Sequence, residues 1–556
     1  MLILIPALMR DNLATERQGI SVAQQNDGAR KTQGDKSFPG IGALHHPINT
    51  TNEETQEFFD KGLAFFYAFN FDEAMRSFEN AARLDPHAAM PYWGLALANS
   101  PSYNSGIYNT PERDKAARAA IQKAQQLSAA ALPIERAYID ALARRFADGS
   151  NSDPEKRARD YTSAMRELSH RYPDDPDAAT LYAESLMDLH PYHLWTYDGQ
   201  PGENTLEIVS VLEGVLRRWP DHLGANHYYI HAMEASPFPA RALSSAHRLE
   251  TLAPTLGHLV HMPAHIYFRT GAYTAAEKST LAAAAADRTY LREKNIPNEA
   301  YKRAYAEHNL YFLIASAKMD GDFPVANQTA IELQSIIRAD LADRPDAEPY
   351  LTTQLFVLLR FARWDDILAM PRPDESLHGV AFIWHYARAC SFASKKMLQK
   401  AEAEREAMEK LYPQHSANQR FGMLGSWATL HELTVQTLDA RIAAAQGDMA
   451  GAITHWRVAV AEQDRSERAD FYRELASWYY PIRESLGAAL LRSNQLVEAE
   501  QVFREDLRHN PKNPRSLFGL WKALEAQKKT VEADQTRKLF VSSWKGPEDQ
   551  LRIEDF

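Results

Sequence analysis

The chain has a single cysteine, Cys390. One thiol excludes an intramolecular disulfide and any thiolate metal cluster, so a bound metal must be held by nitrogen and oxygen. Also absent is any run near the roughly 20 apolar residues that a membrane-crossing helix needs. The opening "MLILIPALMR" is apolar but short, and no cationic segment precedes it. "SVAQQ" at 21–25 would suit a signal-peptidase cut, yet the residues before it are too polar for an export core. The compartment, cytoplasmic or periplasmic, stays open. Alternating β-branched runs closed by Asn-Gly turns hardly occur, so strands are not expected. There is no glycine-rich phosphate loop, dinucleotide fingerprint, nucleophile elbow or haem-attachment motif, and no nucleotide cofactor is expected. Net charge is −11 with Lys and Arg scattered, which argues against a nucleic-acid surface.

What is present is repetitive. The 556 residues suffice for several domains or one long repeat array, and 45% hydrophobic content with 24% charge suits a folded protein. "EETQEFFDKGLAFFYAFNFDEAMRSFENAARLDP" spaces Gly62, Phe71, Ala74, Ala81 and Pro86 as a tetratricopeptide repeat does, a helix–turn–helix unit of about 34 residues. Small residues let two antiparallel helices cross closely, and the proline stops the second. The pattern returns in "AHIYFRTGAYTAAEKS", "LIASAKMDGDFPVANQ", "RIAAAQGDMAGAITHW" and "GAALLRSNQLVEAEQVFREDLRHNP". The spacing predicts an all-α superhelix of about ten to twelve helix pairs over 45–545, after a flexible leader at 1–44 and before a tail at 546–556. By default such an array is a scaffold whose concave groove binds a peptide or a protein partner.

The middle of the array does not look like a peptide groove. "HYYIHAMEASPFPARALSSAHRLETLAPTLGHLVHMPAHIYFRTGAY", residues 227–273, places His227, His231 and Glu234 on one helical stripe and His258, His261 and His265 on another. In the repeat register these positions, with His308 one repeat later, belong to first helices and face the groove. Packed helices lie about 8–10 Å apart, so imidazoles from neighbouring helices can meet at one ion. Crowded imidazoles without a metal would repel when protonated and need many acceptors when neutral. His227, His231, His258, His261, His265 and His308 are therefore the expected metal ligands. Glu234 is a further ligand or supporting carboxylate, and His258, His308 and Glu234 are the candidates to handle protons or substrate. In the first repeat, apolar Phe59, Leu63 and Phe66 replace the basic clamp of a peptide scaffold.

The chain resembles a group of bacterial tetratricopeptide-repeat proteins that share "HYxIHxxE/D" and an "AP…H..HMPSHIY.R.G.Y" block. The likeness extends from "FFDKGLAFFYAFNFDEAMRSFENAARLDPHAAMPYWGLAL" to "ASWYYPIRESLGAALLRSNQLVEAEQVFREDL", with Ala264 where serine is usual. It implies that the matching histidines and Glu234 are fixtures of the group, and it implies no particular reaction.

Imidazole-rich sites without thiolates suit copper, iron or zinc rather than magnesium or calcium. Two triads resemble the ligand supply of a coupled dicopper centre, whereas one triad with Glu234 would suit iron or catalytic zinc. An oxygen-activating copper or iron oxidoreductase acting on a small organic molecule ranks first. Among enzymatic readings zinc-assisted hydrolysis ranks second, and a non-enzymatic peptide- or protein-binding scaffold is the other alternative; a protein partner or homo-oligomer stays open. Trp93, Tyr103, Asn104, Trp195, Trp384 and Trp478 are candidate pocket walls, of which two at most should touch a ligand. Arg269 is a candidate carboxylate anchor, His45 and His46 a candidate lid, and Glu184 a candidate supporting acid. His190 and His193 read as structural, and Cys390 as core.

Overall fold

Short polar side chains start many of the helices. Asn52, Thr110, Asp153, Asp175, Asp322, Ser426 and Asn513 each accept a backbone N–H of the first turn. Proline follows at the first or second helical position in several, where its missing N–H costs nothing. A computed structural model describes residues 40, 42–104, 106, 109–147, 153–294, 301–374, 376–412, 416–469, 474–476, 478–548 and 551–556. The expected leader lies almost wholly outside the described residues. The described residues form twenty-four α-helices, and their only strand-like pairings are two isolated bridges.

The helices fall into twelve consecutive pairs. α1 (Glu53–Tyr67) pairs with α2 (Phe71–Leu84), α3 (Met90–Asn99) with α4 (Pro111–Leu127), and α5 (Pro133–Arg144) with α6 (Pro154–Arg171). Then come α7 (Pro176–Met187) with α8 (Thr205–Arg218), and α9 (Leu223–Met233) with α10 (Leu243–Leu252). α11 (Gly257–Arg269) pairs with α12 (Tyr273–Lys294), and α13 (Glu307–Asp320) with α14 (Phe323–Asp340). The C-terminal pairs are α15 (Thr353–Arg360) with α16 (Trp364–Ala369), and α17 (His378–Ser394) with α18 (Leu398–Glu409). They continue as α19 (Trp427–Gln446) with α20 (Met449–Ala469), α21 (Arg483–Arg492) with α22 (Leu496–His509), and α23 (Pro514–Ala526) with α24 (Thr530–Ser543). The protein is an all-α tetratricopeptide-like solenoid.

Two features recur along it. In the first pair the Phe78 ring wedges between Gly62 and Gly94, where an added Cβ would lie 2.6 and 2.4 Å from ring carbons. Phe503 does the same between Gly487 and Gly519 near the other end. In the sixth to twelfth pairs the turn takes a left-handed residue: Gly271, Gly321, Ala362, Lys396, Gly447, Asn494 and Lys528. The first pair puts Phe69 there at φ 57°, a costly choice for a bulky side chain.

The array turns back on itself. Lys545, beyond α24, pairs with Glu277 on α12 at 2.7 Å and Asp320 on α13 at 3.1 Å. Buried Glu484 on α21 pairs with Arg360 on α15 and accepts from Asn513 at 2.8 Å. Tyr290 on α12 donates to Glu73 on α2 at 3.0 Å, joining the first pair to the sixth. These closures narrow the groove around the histidine helices.

Candidate metal centre

Residues four apart share a helix face, so His227 and His231 project together from α9, and His261 and His265 from α11. His258 lies one turn earlier on α11, and His308 opens α13. A π-turn over Lys302–Ala306 leads into α13 and brings Tyr305 and His308 to the same wall. All of these are first helices of pairs, the side that the repeat register assigns to the groove.

The six imidazoles gather as two triads. His227, His231 and His258 offer ring nitrogens within 4.8 Å of one another, and so do His261, His265 and His308. His227 Nε2 lies 3.1 Å from His258 Nε2; in the second triad, His261 Nε2 lies 2.7 Å from His265 Nε2 and 3.2 Å from His308 Nε2. The triads adjoin, with the rings of His231 and His265 6.0 Å apart.

The outer nitrogens decide the tautomers. His227 Nδ1 is 2.6 Å from the carbonyl oxygen of Tyr67, and His231 Nδ1 is 2.8 Å from Glu234 Oε1. His265 Nδ1 meets the other carboxylate oxygen of Glu234. Carbonyl and carboxylate oxygens only accept, so each Nδ1 carries the proton and each Nε2 turns a lone pair inward. His231 Nε2, His258 Nδ1 and His261 Nδ1 are buried without a hydrogen-bond partner. Burial, reinforced by neighbouring imidazoles, pushes His227, His258 and His261 well below the usual histidine range. Burial takes His308 down to about 3 against the opposing pull of Glu474. Burial alone would raise Glu234, but His265 and His231 hold it well below the usual carboxylate range. Six buried imidazoles, three of them with a ring nitrogen that has no partner, suit an ion of the copper, iron or zinc class.

Aromatic rings wall the triads. Phe69 packs on His227 and His258 at 4.5 and 5.3 Å, and Phe312 on His261 and His265 at 4.9 Å each. Between the triads lies a cavity of about 10 Å³, the room one water molecule or ion needs. Its lining joins His231, His258, His265 and His308 to Asn104, Tyr192, Ala304, Tyr305 and Glu474. Glu474 Oε2 stands 3.4 Å from His308 Nε2.

The other sequence candidates divide. The Tyr103 ring packs 5.3 Å from His231, and Glu184 accepts from the Tyr103 backbone N–H at 3.4 Å, so both support the site. Trp195 Nε1 donates to the carbonyl of Ala232 at 2.7 Å, pinning its loop to α9. The structure does not bring Trp93, Arg269 or Trp384 to the cavity. Trp93 is buried between Phe59 and Tyr138, because a large ring fills the crossing of the first pairs. Arg269 ends α11. Trp384 lies under the Arg388 guanidinium at 4.5 Å in the separate C-terminal core, which also holds Trp478 and Cys390. His190 pairs with Glu203 at 3.0 Å.

His45 and His46 do fold back over the helices, yet away from both triads. His45 binds Asp60, and His46 Nδ1 binds Asp177 at 2.8 Å. His222 Nε2 at 3.0 Å and the Tyr67 hydroxyl at 2.5 Å also meet Asp177, while Tyr138 donates to Asp175 at 2.7 Å. With partners already in place, His46, Asp175 and Asp177 form a hydrogen-bonded clamp.

Sequence reasoning did not find Phe69, Tyr192 or Glu474. Phe69 had a signal, a bulky residue at a turn position that other pairs give to Gly, Asn, Lys or Ala. Glu474 had none, since it reaches the site from the far end of the array.

Neither a protein-family model nor a curated protein matches the sequence. Among solved structures, yeast Tom70 is 12% identical over 88% of this chain and 93% of that one, with a TM-score of 0.29. The human IFIT1 dimer with m7Gppp-AAAA is 14% identical over 89% and 91%, with a TM-score of 0.28. The TPR domain of P58(IPK) is 11% identical over 86% and 99%, with a TM-score of 0.21. At such scores the architecture rests on this chain's own helix pairs. No helix among the described residues is long and apolar enough to cross a membrane.

Proposed function

We propose that the chain is a metal-dependent oxidoreductase holding two transition-metal ions, one in each histidine triad, and that it activates dioxygen. Support comes above all from one feature: Glu234 takes the outer N–H of one histidine in each triad, joining two three-imidazole sites through one buried carboxylate. Second partners of this kind orient metal-bound imidazoles and raise their basicity. Because Glu234 turns to the outer nitrogens, three imidazoles remain for each ion, which favours copper over the two-histidine, one-carboxylate pattern of iron. Bound as a pair, copper ions supply two electrons to dioxygen. Zinc with three imidazoles and an open position is the second reading, a hydrolytic one. The resemblance to bacterial proteins with the same histidine blocks belongs to this proposal, since those blocks carry the ligands.

The chain's own residues have distinct parts. Tyr67 and Glu234 hold the imidazoles in their ligand tautomers. Phe69 and Phe312 keep water from the ring faces. Glu474 presents a carboxylate to the cavity beside His308, where it can hold a proton. The cavity has room for about one water-sized molecule, so the organic substrate is assigned the part of an electron donor from outside.

The test is metal counting on purified protein loaded anaerobically with Cu(I), beside His231→Ala and His261→Ala. Two ions in the wild type, fewer in each variant, and oxygen uptake with ascorbate would support the proposal. Sub-stoichiometric copper in the wild type, or unchanged content in both variants, would return the protein to the scaffold class. Uptake that survives metal removal would refute the enzymatic reading, and ester hydrolysis by zinc-loaded protein without oxygen uptake would favour the hydrolase.

A further inference from the structure

A contiguous row of tyrosine rings leaves the first triad and runs towards the surface. The Tyr305 ring packs 4.8 Å from His258, Tyr301 packs 5.3 Å from Tyr305, and Tyr290 packs 4.8 Å from Tyr301. All three are buried. The two outer phenols have dedicated proton acceptors: Tyr301 donates to Asp287 Oδ1 at 2.7 Å, and Tyr290 donates to Glu73 Oε1 at 3.0 Å. Asn309 orients Asp287 from its other oxygen at 2.6 Å. Glu73 in turn pairs with Arg76, whose side chain is 33% exposed, so the row ends one layer below solvent. A second cavity of about 10 Å³, lined by His258, Tyr290, Tyr301, Asn70 and Thr255 among others, lies beside the row and has room for one water.

Other tyrosine–carboxylate pairs in the solenoid differ. Tyr182, Tyr229 and Tyr267 donate to Glu207, Glu213 and Glu250 on neighbouring helices. Those phenols fasten helix to helix, and none of their rings packs on a triad histidine. Tyr228 and Tyr67 also lead from His227 to buried Asp177, but that carboxylate is already shared by His46 and His222; the 290–301–305 row combines ring contact with a ligand histidine, a separate buried carboxylate for each outer phenol and a route outward. The centre's cavity has room for about one water, so an organic reductant bound outside it would pass its electrons across protein.

We propose that Tyr305, Tyr301 and Tyr290 form an electron relay from a small one-electron reductant of the ascorbate or hydroquinone class to the metal centre. The inference rests on the oxygen-activating reading above. In each step Tyr301 loses one electron, which passes across the Tyr305 ring and His258 to a centre that dioxygen would have oxidised. The Tyr301 O–H bond breaks as its proton passes to Asp287, where a carboxylic O–H forms. Tyr290 then refills Tyr301, transferring an electron while its own proton passes to Glu73 and Asp287 returns a proton to Tyr301. The external reductant restores Tyr290 with one electron as Glu73 returns the proton. Burial raises Asp287 to about 6, which suits a carboxylate that takes and returns a proton.

The test uses the full chain loaded with copper and compares Tyr301→Phe, Asp287→Asn and, as a control, Tyr182→Phe. Freeze-quenched wild type reacting with dioxygen should show a tyrosyl radical by electron paramagnetic resonance, narrowed when the protein is made with ring-deuterated tyrosine. Asp287→Asn keeps the side-chain shape without the proton acceptor, and should slow ascorbate-supported oxygen uptake about a hundredfold. Tyr301→Phe should slow it at least as far and abolish the radical. Both variants should still bind two copper ions and, once reduced anaerobically, react with a single pulse of dioxygen at the wild-type rate, because that step needs no relay. Wild-type steady-state uptake in Tyr301→Phe, or the same radical there, overturns the relay and leaves the metal centre standing. A wild type that binds no copper or consumes no oxygen overturns both.

Discussion

Replacing Glu234 by glutamine separates the proposed metal sites from each other. The carboxylate is 2% exposed and accepts from two imidazoles, His231 and His265, one in each triad. A glutamine amide has one acceptor oxygen and one donor NH2. Its oxygen can serve one imidazole; its NH2 then faces the other Nδ1–H, donor against donor. That second imidazole escapes by moving its proton to Nε2, which blocks the lone pair meant for the ion. Removing an outer hydrogen-bond partner of a metal-bound histidine typically costs about 10- to 100-fold in affinity. At about 1.4 kcal/mol per tenfold, the loss is about 1.4–2.8 kcal/mol at one site. A lost hydrogen bond to a buried charged group, about 1.5–3 kcal/mol, gives the same scale, and at this burial no solvent screening reduces it. Glu234→Gln should therefore bind one ion near wild-type affinity and the other weakly, whereas Glu234→Ala should weaken both. The assay is anaerobic competition of each variant against a chromophoric Cu(I) chelator, with circular dichroism to check folding. Two unchanged affinities in Glu234→Gln, or no loss at either site in Glu234→Ala, would refute the role given to this carboxylate.

Two further outcomes are expected. Burial would lower His46, but its hydrogen bond to Asp177 and the charges of Asp177, Asp175 and Asp60 raise it above its ordinary value. Its contribution to stability is fully present below the unfolded value of about 6.5 and is lost as pH rises through the folded one. Thermal unfolding should show the gap between wild type and His46→Gln shrinking as pH rises above about 6.5; a constant gap would refute the clamp. Gly62→Ala should destabilise the first pair by about 1–3 kcal/mol, since the new methyl overlaps the buried Phe78 ring. Denaturant unfolding with unchanged copper binding would confirm a packing effect confined to the wedge.

Sequence alone determined what depends on helical period. Residues 3, 4 or 7 apart share a helix face whatever the surroundings, so the stripes of His227 with His231 and of His258, His261 and His265 followed from spacing. Repeat register then put those stripes, with His308, on first helices, because the Gly–Ala–Pro pattern marks where each pair crosses and stops. The way successive pairs add up is not a local property. A small rotation per pair, summed over twelve pairs, decides whether the groove stays open or returns on itself. Here it returns, and Lys545 meets α12 while Glu474 arrives beside His308 from more than 160 residues away. The same closure sends Trp384 and Trp478 into a separate core and leaves Trp93 as packing. Tertiary structure also decided the part played by Glu234. Spacing put it on the ligand stripe, but its place just past the end of α9 turns both carboxylate oxygens to outer imidazole nitrogens, where it supports two triads and leaves their Nε2 atoms facing inward.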